Sequence, residues 1–460
     1  MNPKIKHYCL IRNLIRPIAD TGIVRYKFYE CIGSKRSIQM KNPHLIALRS
    51  FVVAAGATAA ASFVGVYGVL LGATPSEMGF LQSTSNSLSN AGQILWGRIS
   101  DRFGTRLPFL IMGSLSLMAL WFMMPFVRDP VNLIVLYSLI SLFSAMITVN
   151  WYAFIADNVS EVARGKFLST INNLSSIGTI ISIAAMSLFF TADNVKDLAI
   201  PFFAAATSYL ISAILLKTGN EKKVYRKQSN TFVASFREMR RNRKFYSYFV
   251  ATTTQAYFWS MAWPLFPITI ISVMGFSVQI VAYLTIASLS VTIASQYFFG
   301  RFVDRVNRVP LIFFNRLMLC VIPLMYAFFV NLGQFFILEF YSGFVGAIQS
   351  VVMTSYLLDI APSGKRAEYI SVLNGANGIV YFLGAISGGF MLQYLVALYP
   401  LRYALMLGYL VVFAGRFLSS FLFLRLQETG GNNRRDLALF SILLRWRHPG
   451  SPSGGNLGPK

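Results

Sequence analysis

Acidic and basic side chains recur in a fixed order at two pairs of places in this 460-residue sequence. The run Gly97, Arg98, Ile99, Ser100, Asp101, Arg102, Phe103, Gly104, Thr105, Arg106 is echoed by Gly300, Arg301, Phe302, Val303, Asp304, Arg305, Val306, Asn307, Arg308, the two aspartates being 203 positions apart. Asp157 precedes Arg164 by seven residues, Asp359 precedes Arg366 by seven, and those aspartates are 202 apart. Carboxylates set among guanidiniums make charge-assisted hydrogen bonds, so the chemistry on offer is latching of one segment to another. Covalent chemistry finds no such support. There is no Ser/His/Asp set, no His/Cys metal cluster and no Gly-x-x-x-x-Gly-Lys-Ser/Thr phosphate loop, and Cys9, Cys31 and Cys320 have no paired spacing. No enzyme activity, cofactor or metal is expected.

A second set of groups is polar but lies inside long apolar stretches. Thr252, Thr253, Thr254, Gln255, Tyr257, Trp259 and Trp263 precede Pro264 and Pro267, and Thr252, Gln255 and Trp259 share one helical face at i, i+3 and i+7. Prolines free carbonyls that neighbours or cavity water must satisfy. Asn150, Trp151, Asn172, Asn173, Gln349, Asn374 and Asn377 are similarly embedded. Buried amides cost energy unless paired, so each is either glue between helices or a contact for a ligand. Glu339 is the one carboxylate well inside such a stretch; desolvated, it suits carrying a proton or meeting a cation, the alternative being a reach to headgroups or a polar neighbour. Arg49, Arg316 and Arg416 lie near stretch ends and are expected to snorkel to the membrane face.

The stretches that hold these groups explain the composition. The chain is 55% hydrophobic and 13% charged, too apolar for an ordinary soluble domain. Runs of about 20 apolar residues predict spans near 45–71, 77–97, 107–127, 131–156, 166–190 and 199–216, then 246–273, 278–299, 309–330, 333–358, 367–396 and 401–424. In hydrocarbon each backbone group must be satisfied within its segment, and the runs lack the alternation of barrel strands, so the fold class is an all-α membrane protein of twelve transmembrane helices. The formal charge of +24 is topological rather than a nucleic-acid footprint: 35 Lys and Arg lie in the gaps of one parity and three, Arg128, Lys196 and Arg402, in the other. By the positive-inside rule both termini and the middle loop are cytoplasmic, in a cell membrane.

The domain reading is a basic extension at 1–44, a six-helix half at 45–216, a middle loop at 217–244, a second half at 245–424 and a disordered tail at 425–460. Residues 1–39 lack a signal-peptide pattern. They read as sequence upstream of a true start at Met40, the rival being an amphipathic segment on anionic lipid.

The loop Gly97–Arg106, its weaker copy at 300–308, the Asp157 to Arg164-Gly165 segment, twelve spans and a basic middle loop together resemble the major facilitator superfamily over roughly residues 45–425. The resemblance implies two pseudo-symmetric six-helix halves that carry a small solute by alternating access. It also implies that Gly97, Asp101, Arg102, Gly104, Arg106, Asp157, Arg164, Gly300, Asp304, Arg305, Arg308, Asp359 and Arg366 latch the cytoplasmic side in one state; the alternative is plain anchoring at headgroups. In that superfamily helices 1, 4, 7 and 10 line the cavity. Gln255, Trp259, Thr252, Asn150 and Gln349 on those helices, with Asn374 of span 11, are the candidate solute contacts, and Glu339 is the candidate for proton or Na⁺ coupling. The amide, hydroxyl and aromatic chemistry suits a neutral polar or amphipathic solute better than a multiply charged one. Span 4 lacks the central Arg of proton-driven drug antiporters, and their Gly-Pro-x-x-Gly-Gly pattern in span 5 is absent; Gly384-Ala385-Ile386-Ser387-Gly388-Gly389 in span 11 is a partial match whose small residues allow close packing. A non-transporting receptor of the same fold is the alternative, but the signalling domain it normally attaches is not found. The partners expected are the solute and the lipid bilayer, with a monomer as the default.

Overall fold

The computed structural model describes residues 43–159, 161–190, 198–217, 236–237, 239–302, 306–362 and 366–428, though not the side chains at 43–45, 156–157, 161–166, 168–170, 300–302 and 366–367. Its long elements are helical rods. In the first half these are α1 (Pro43–Val53, a π turn Ala54–Thr58, Ala59–Ala61 and Val64–Leu70), α2 (Pro75–Phe103), α3 (Leu107–Met123), α4 (Pro130–Asn158), α5 (Glu161–Ser187) and α6 (Ala199–Leu216). The second half has α7 (Arg243–Met261, then Leu265–Ile268 and a π turn Thr269–Val273), α8 (Val278–Phe302), α9 (Arg308–Phe328), α10 (Leu332–Ile360), α11 (Arg366–Leu398) and α12 (Leu401–Ser420, ending in a 3₁₀ turn Phe421–Arg425).

Among the described residues ten of these are long and apolar enough to cross a membrane; the described stretch of α5, Ile171–Ser187, is apolar but shorter, and α2 is too polar to qualify. In α2 the cause is the stretch Gln82 to Gln93, which carries Ser83, Thr84, Ser85, Asn86, Ser87, Ser89 and Asn90. Several of these close onto their own helix, as when Thr84 Oγ1 donates to Phe80 O at 2.8 Å and Asn90 Nδ2 to Asn86 O at 2.9 Å. A polar stripe can thus be folded without breaking the rod.

Local chemistry sets the ends. Thr74 and Glu77 form a capping box ahead of Pro75. Asp129 accepts from the N–H groups of Val131 and Asn132 at 3.1 Å. Gly104 ends α2 with φ of +66°, a left-handed conformation that other residues rarely adopt. α9 begins differently: the carboxylate of Glu428 accepts from Arg308 N–H at 2.9 Å and Val309 N–H at 3.0 Å. Residues just after α12 are therefore held against α9 and α10, where Tyr356 donates to Gln427 O at 2.8 Å. The boundary of disorder expected at 425 fails for Arg425 to Glu428, because a carboxylate is needed at that helix start.

Side chains of α1–α6 pack mainly among themselves, and so do those of α7–α12. Across the two groups the broad contact is α2 with α11, followed by α5 with α8. Glycine makes the close approaches. A Cβ on Gly384 would lie 2.3 Å from Tyr257 O and one on Gly388 2.0 Å from Met261 O, so the small-residue run of α11 seats α7. One on Gly389 would lie 2.6 Å from Pro75 O and 2.8 Å from Gly79 Cα, at the seam between the groups.

Candidate functional site

The loop ends that carry Arg98–Arg106 and Arg308 are called here the basic end, and the opposite ends the far end. Contacts joining the two groups run from mid-depth to the far end. Gly65 of α1 faces Pro267 of α7, with a Cβ there 3.4 Å from the ring. Phe80 and Phe390 meet edge to face at 5.9 Å, and Gln279 Nε2 donates to Ser187 O at 3.2 Å. At mid-depth Gly378 packs on Asn90. Thr58 and Ser62 lie seven and three residues before Gly65, on the face of α1 turned to α7, and both are exposed. Asn374, one turn before Gly378, is also exposed. All three are thus exposed close to residues that join the two groups.

At the basic end the described ion pairs stay within a group. Arg106 bonds Asp101 and Ser100, tying the end of α2 to the start of α3. Arg308 bonds Asp359 and Ser355 O, tying α9 to α10. Arg102 is exposed. Gly97 lies against Val149 of α4, and Gly104 makes the tight turn expected of it. Asp304 and Arg305, and the side chains of Asp157, Arg164 and Arg366, lie outside the described residues; of Gly300 only the helical backbone is described.

The α7 face is brought together, but toward the interior of its own group. Gln255 is 2% exposed; its Oε1 accepts from Arg316 Nη1 at 3.1 Å and its Nε2 donates to Ser420 Oγ at 3.3 Å. Thr252 is half-buried with Oγ1 unpartnered, and Trp259 is half-buried with Arg416 5.0 Å from its ring centroid. Asn150 is fully buried in α4, with Nδ2 donating to Met146 O at 2.8 Å and Oδ1 unpartnered. Gln349 Oε1 is also buried and unpartnered. Glu339 sits apart, half-buried near the far end, accepting from Tyr326 Oη at 3.4 Å.

The three arginines expected to snorkel are instead 2–4% exposed. Arg49 Nε donates to Ser212 Oγ at 2.9 Å while its guanidinium stacks 4.0 Å from the Trp151 centroid. Arg416 donates to three carbonyls: Nε to Phe258 O at 3.4 Å, Nη1 to Leu319 O at 3.2 Å and Nη2 to Trp259 O at 3.0 Å. Among the described residues no carboxylate lies within ion-pair distance of any of the three. Helix breaks and prolines create acceptors that outbid the membrane face. The signal was present in Pro323 and in the α7 prolines, but which cation answers them depends on the packing.

Two groups of long apolar helices, joined along glycine seams and closed at one end, define a polytopic helical membrane protein. The family model of the Major Facilitator Superfamily matches residues 46–255 and 248–453, and the chain belongs to that superfamily. It is 22% identical over 362 residues to an uncharacterized MFS-type transporter of Methanocaldococcus jannaschii, covering 76% of this chain and 91% of that one. Its fold is similar to those of the nucleoside transporter NupG (TM-score 0.66, 14% identity, 84% of this chain and 99% of that chain), a D-xylose-proton symporter (0.65, 14%, 85% and 98%) and a bacterial homolog to the human lysosomal transporter Spinster in an inward-facing, occupied conformation (0.63, 14%, 83% and 97%).

Proposed function

We propose that this protein is a secondary active or facilitative transporter that carries a small polar solute across the cytoplasmic membrane by alternating access. The observation that supports it best is the asymmetry of the seam. The described contacts between the halves run from mid-depth to the far end, while the two described ion pairs at the basic end each lie within one half, and Thr58, Ser62 and Asn374 are exposed at mid-depth, in this reading toward the space between the halves. A carrier paused open toward its basic side has this arrangement, and rocking of the halves closes that side and opens the other. By the positive-inside rule the basic side is the cytoplasm, with both termini there.

α2 and α5 also span in this reading, their polar faces turned to protein rather than lipid. Asp101 and Asp359, with their arginine partners, set the balance between states. Glu339 has no basic side chain within ion-pair distance among the described residues and serves as the coupling group for a proton or Na⁺. The working unit is the monomer.

The test is counterflow in proteoliposomes, with sugars, amino acids, carboxylates, nucleosides and lipophilic cations as labelled solutes. Saturable exchange of one chemical class is the expected result. If every class leaks at the rate of protein-free vesicles while the protein remains folded, transport is not its function.

A further inference from the structure

Arg316 has one end of its guanidinium in use. Nη1 donates to Gln255, but Nε and Nη2 are buried and have no acceptor. These two nitrogens form the side-on edge of the guanidinium, whose parallel N–H bonds match the two oxygens of a carboxylate or phosphate. Leaving such donors unsatisfied in a buried site is costly, and native proteins rarely do so without a reason. Arg416, three helices on in sequence order, shows the contrast: all three of its nitrogens are spent on carbonyls.

Further unpartnered polar atoms accompany the idle edge. Thr252 Oγ1 is on the same face of α7 as Gln255, one turn nearer the basic end. Gln349 Oε1 lies on α10, one turn before Met353, whose carbonyl accepts from Tyr248 of α7 at 3.3 Å. Asn377 Oδ1 on α11 is unpartnered one turn before Tyr381. Tyr248 and Tyr381 are themselves within electrostatic reach of Arg316, which ties the four helices to one locality. The charged groups in that reach are the cations Arg316 and Arg416, with Tyr248, Tyr381 and Cys320 as the neutral titratable ones. The locality thus holds positive charge with no carboxylate partner among the described residues.

We infer that the solute of this transporter carries a single carboxylate or phosphate, taken by the Nε and Nη2 edge of Arg316. This deepens the transport reading and rests on it. Gln255 is then a positioning residue: it fixes Nη1, is held by Ser420, and leaves the opposite edge free. The hydroxyl and amides of Thr252, Gln349 and Asn377 supply the remaining polar contacts. Because the edge is buried in this state, the anion reaches it only when neighbouring side chains shift; Phe423 is one that packs on the guanidinium, with its ring centroid 5.3 Å away. The neutral solute suggested by the amide and hydroxyl chemistry gives way to a monoanion, since one guanidinium edge neutralises one charge.

The experiment is a melting curve of the detergent-purified full chain with matched acid and amide pairs, such as lactate and lactamide or benzoate and benzamide, beside inorganic phosphate and chloride. Acids or phosphate are expected to raise the melting temperature and their amides to leave it unchanged. In Arg316→Gln, and in Arg316→Lys, which keeps the charge but not the edge, the apparent affinity should fall at least about tenfold, as a 1.4 kcal/mol loss implies. Equal response to acids and amides, response to chloride alone, or an unaltered acid response in Arg316→Gln each overturns the inference. If the variants fail to fold, the acid and amide comparison on the native chain decides by itself. Counterflow separates the two readings: exchange of a neutral solute without any anion response sinks the anion and spares the transporter, whereas no exchange and no shift with any compound sinks both.

Discussion

Arg416 reaches carbonyls that helix geometry has left open. Pro323 has no N–H, so Leu319 O, four residues before it, loses its usual donor. At the break in α7, Trp263 N–H turns to Ser260 O at 3.0 Å and Ala262 N–H reaches only Trp259 O at 3.4 Å, which frees Phe258 O. One guanidinium on α12 thereby staples the irregular parts of α7 and α9. Each buried carbonyl stripped of its donor costs about 1–3 kcal/mol. Arg416→Gln is therefore expected to lower the melting temperature by several degrees, and Pro323→Ala added to it should restore part of the loss by giving Leu319 O a donor again. Differential scanning fluorimetry of the single and double variants checks this; an unchanged melting temperature in Arg416→Gln would show that the carbonyls find other donors.

At the scale of elements, the turn from α2 to α3 joins a left-handed glycine to a charge pair. Gly104 closes α2 through Ser100 O at 3.0 Å, and Arg106 then folds back on Asp101 and Ser100. The pair fixes the direction in which α3 leaves, so its strength bears on how the loop end meets the other half. Replacing the carboxylate removes a charge-assisted bond of about 1.5–3 kcal/mol, less on this partly exposed site. A shift of about 1.4 kcal/mol in the balance of states is already tenfold in population. Asp101→Asn should insert and purify normally yet transport several-fold more slowly. Counterflow at full native rate would reduce the pair to a headgroup anchor.

For the whole molecule, the decisive surface is the glycine seam between halves. At Gly389 an added Cβ meets backbone atoms, Pro75 O and Gly79 Cα, which cannot rotate aside as a side chain would. Gly389→Ala should leave each half folded and disfavour the state closed at the far end. Ser62 lies next to that closure, so Ser62→Cys, in a chain without Cys9 and Cys31, reports on it; Cys320 is buried. Labelling by a membrane-impermeant thiol reagent from the far side is expected to accelerate about tenfold or more, as a 1.4 kcal/mol shift gives. No acceleration would mean that the α2/α11 seam does not hold the far end shut.

How much of this was legible in the sequence differs by feature. Hydrophobic run length gives most of the rods to within a few residues, because a helix in lipid must satisfy its own backbone. The Arg and Lys distribution supports the orientation proposed above, and the duplicated loops point to two related halves. The break of α7 was visible in Pro264 and Pro267, whereas that of α1 was not, since Ala54 to Ser62 contains no proline and its π turn arises from packing on α5 and α6. The α7 face at Thr252, Gln255 and Trp259 was legible as a polar face, but a helical face has no address. Only the packing of α9 and α12 turned Gln255 inward onto Arg316 and Ser420.

The same holds for charge. A sequence reports that Arg49, Arg316 and Arg416 are near the ends of their helices, and the shortest way to lower their energy is to reach for water. Tertiary structure supplied nearer acceptors, a serine and an aromatic ring for Arg49 and carbonyls at Pro323 and at the α7 break for Arg416, and left one edge of Arg316 without any. Local pattern fixes where backbone and apolar surface must go, since those demands repeat at every residue. Which single donor meets which single acceptor is decided by helices far apart in the chain, so it emerged only when they were packed together.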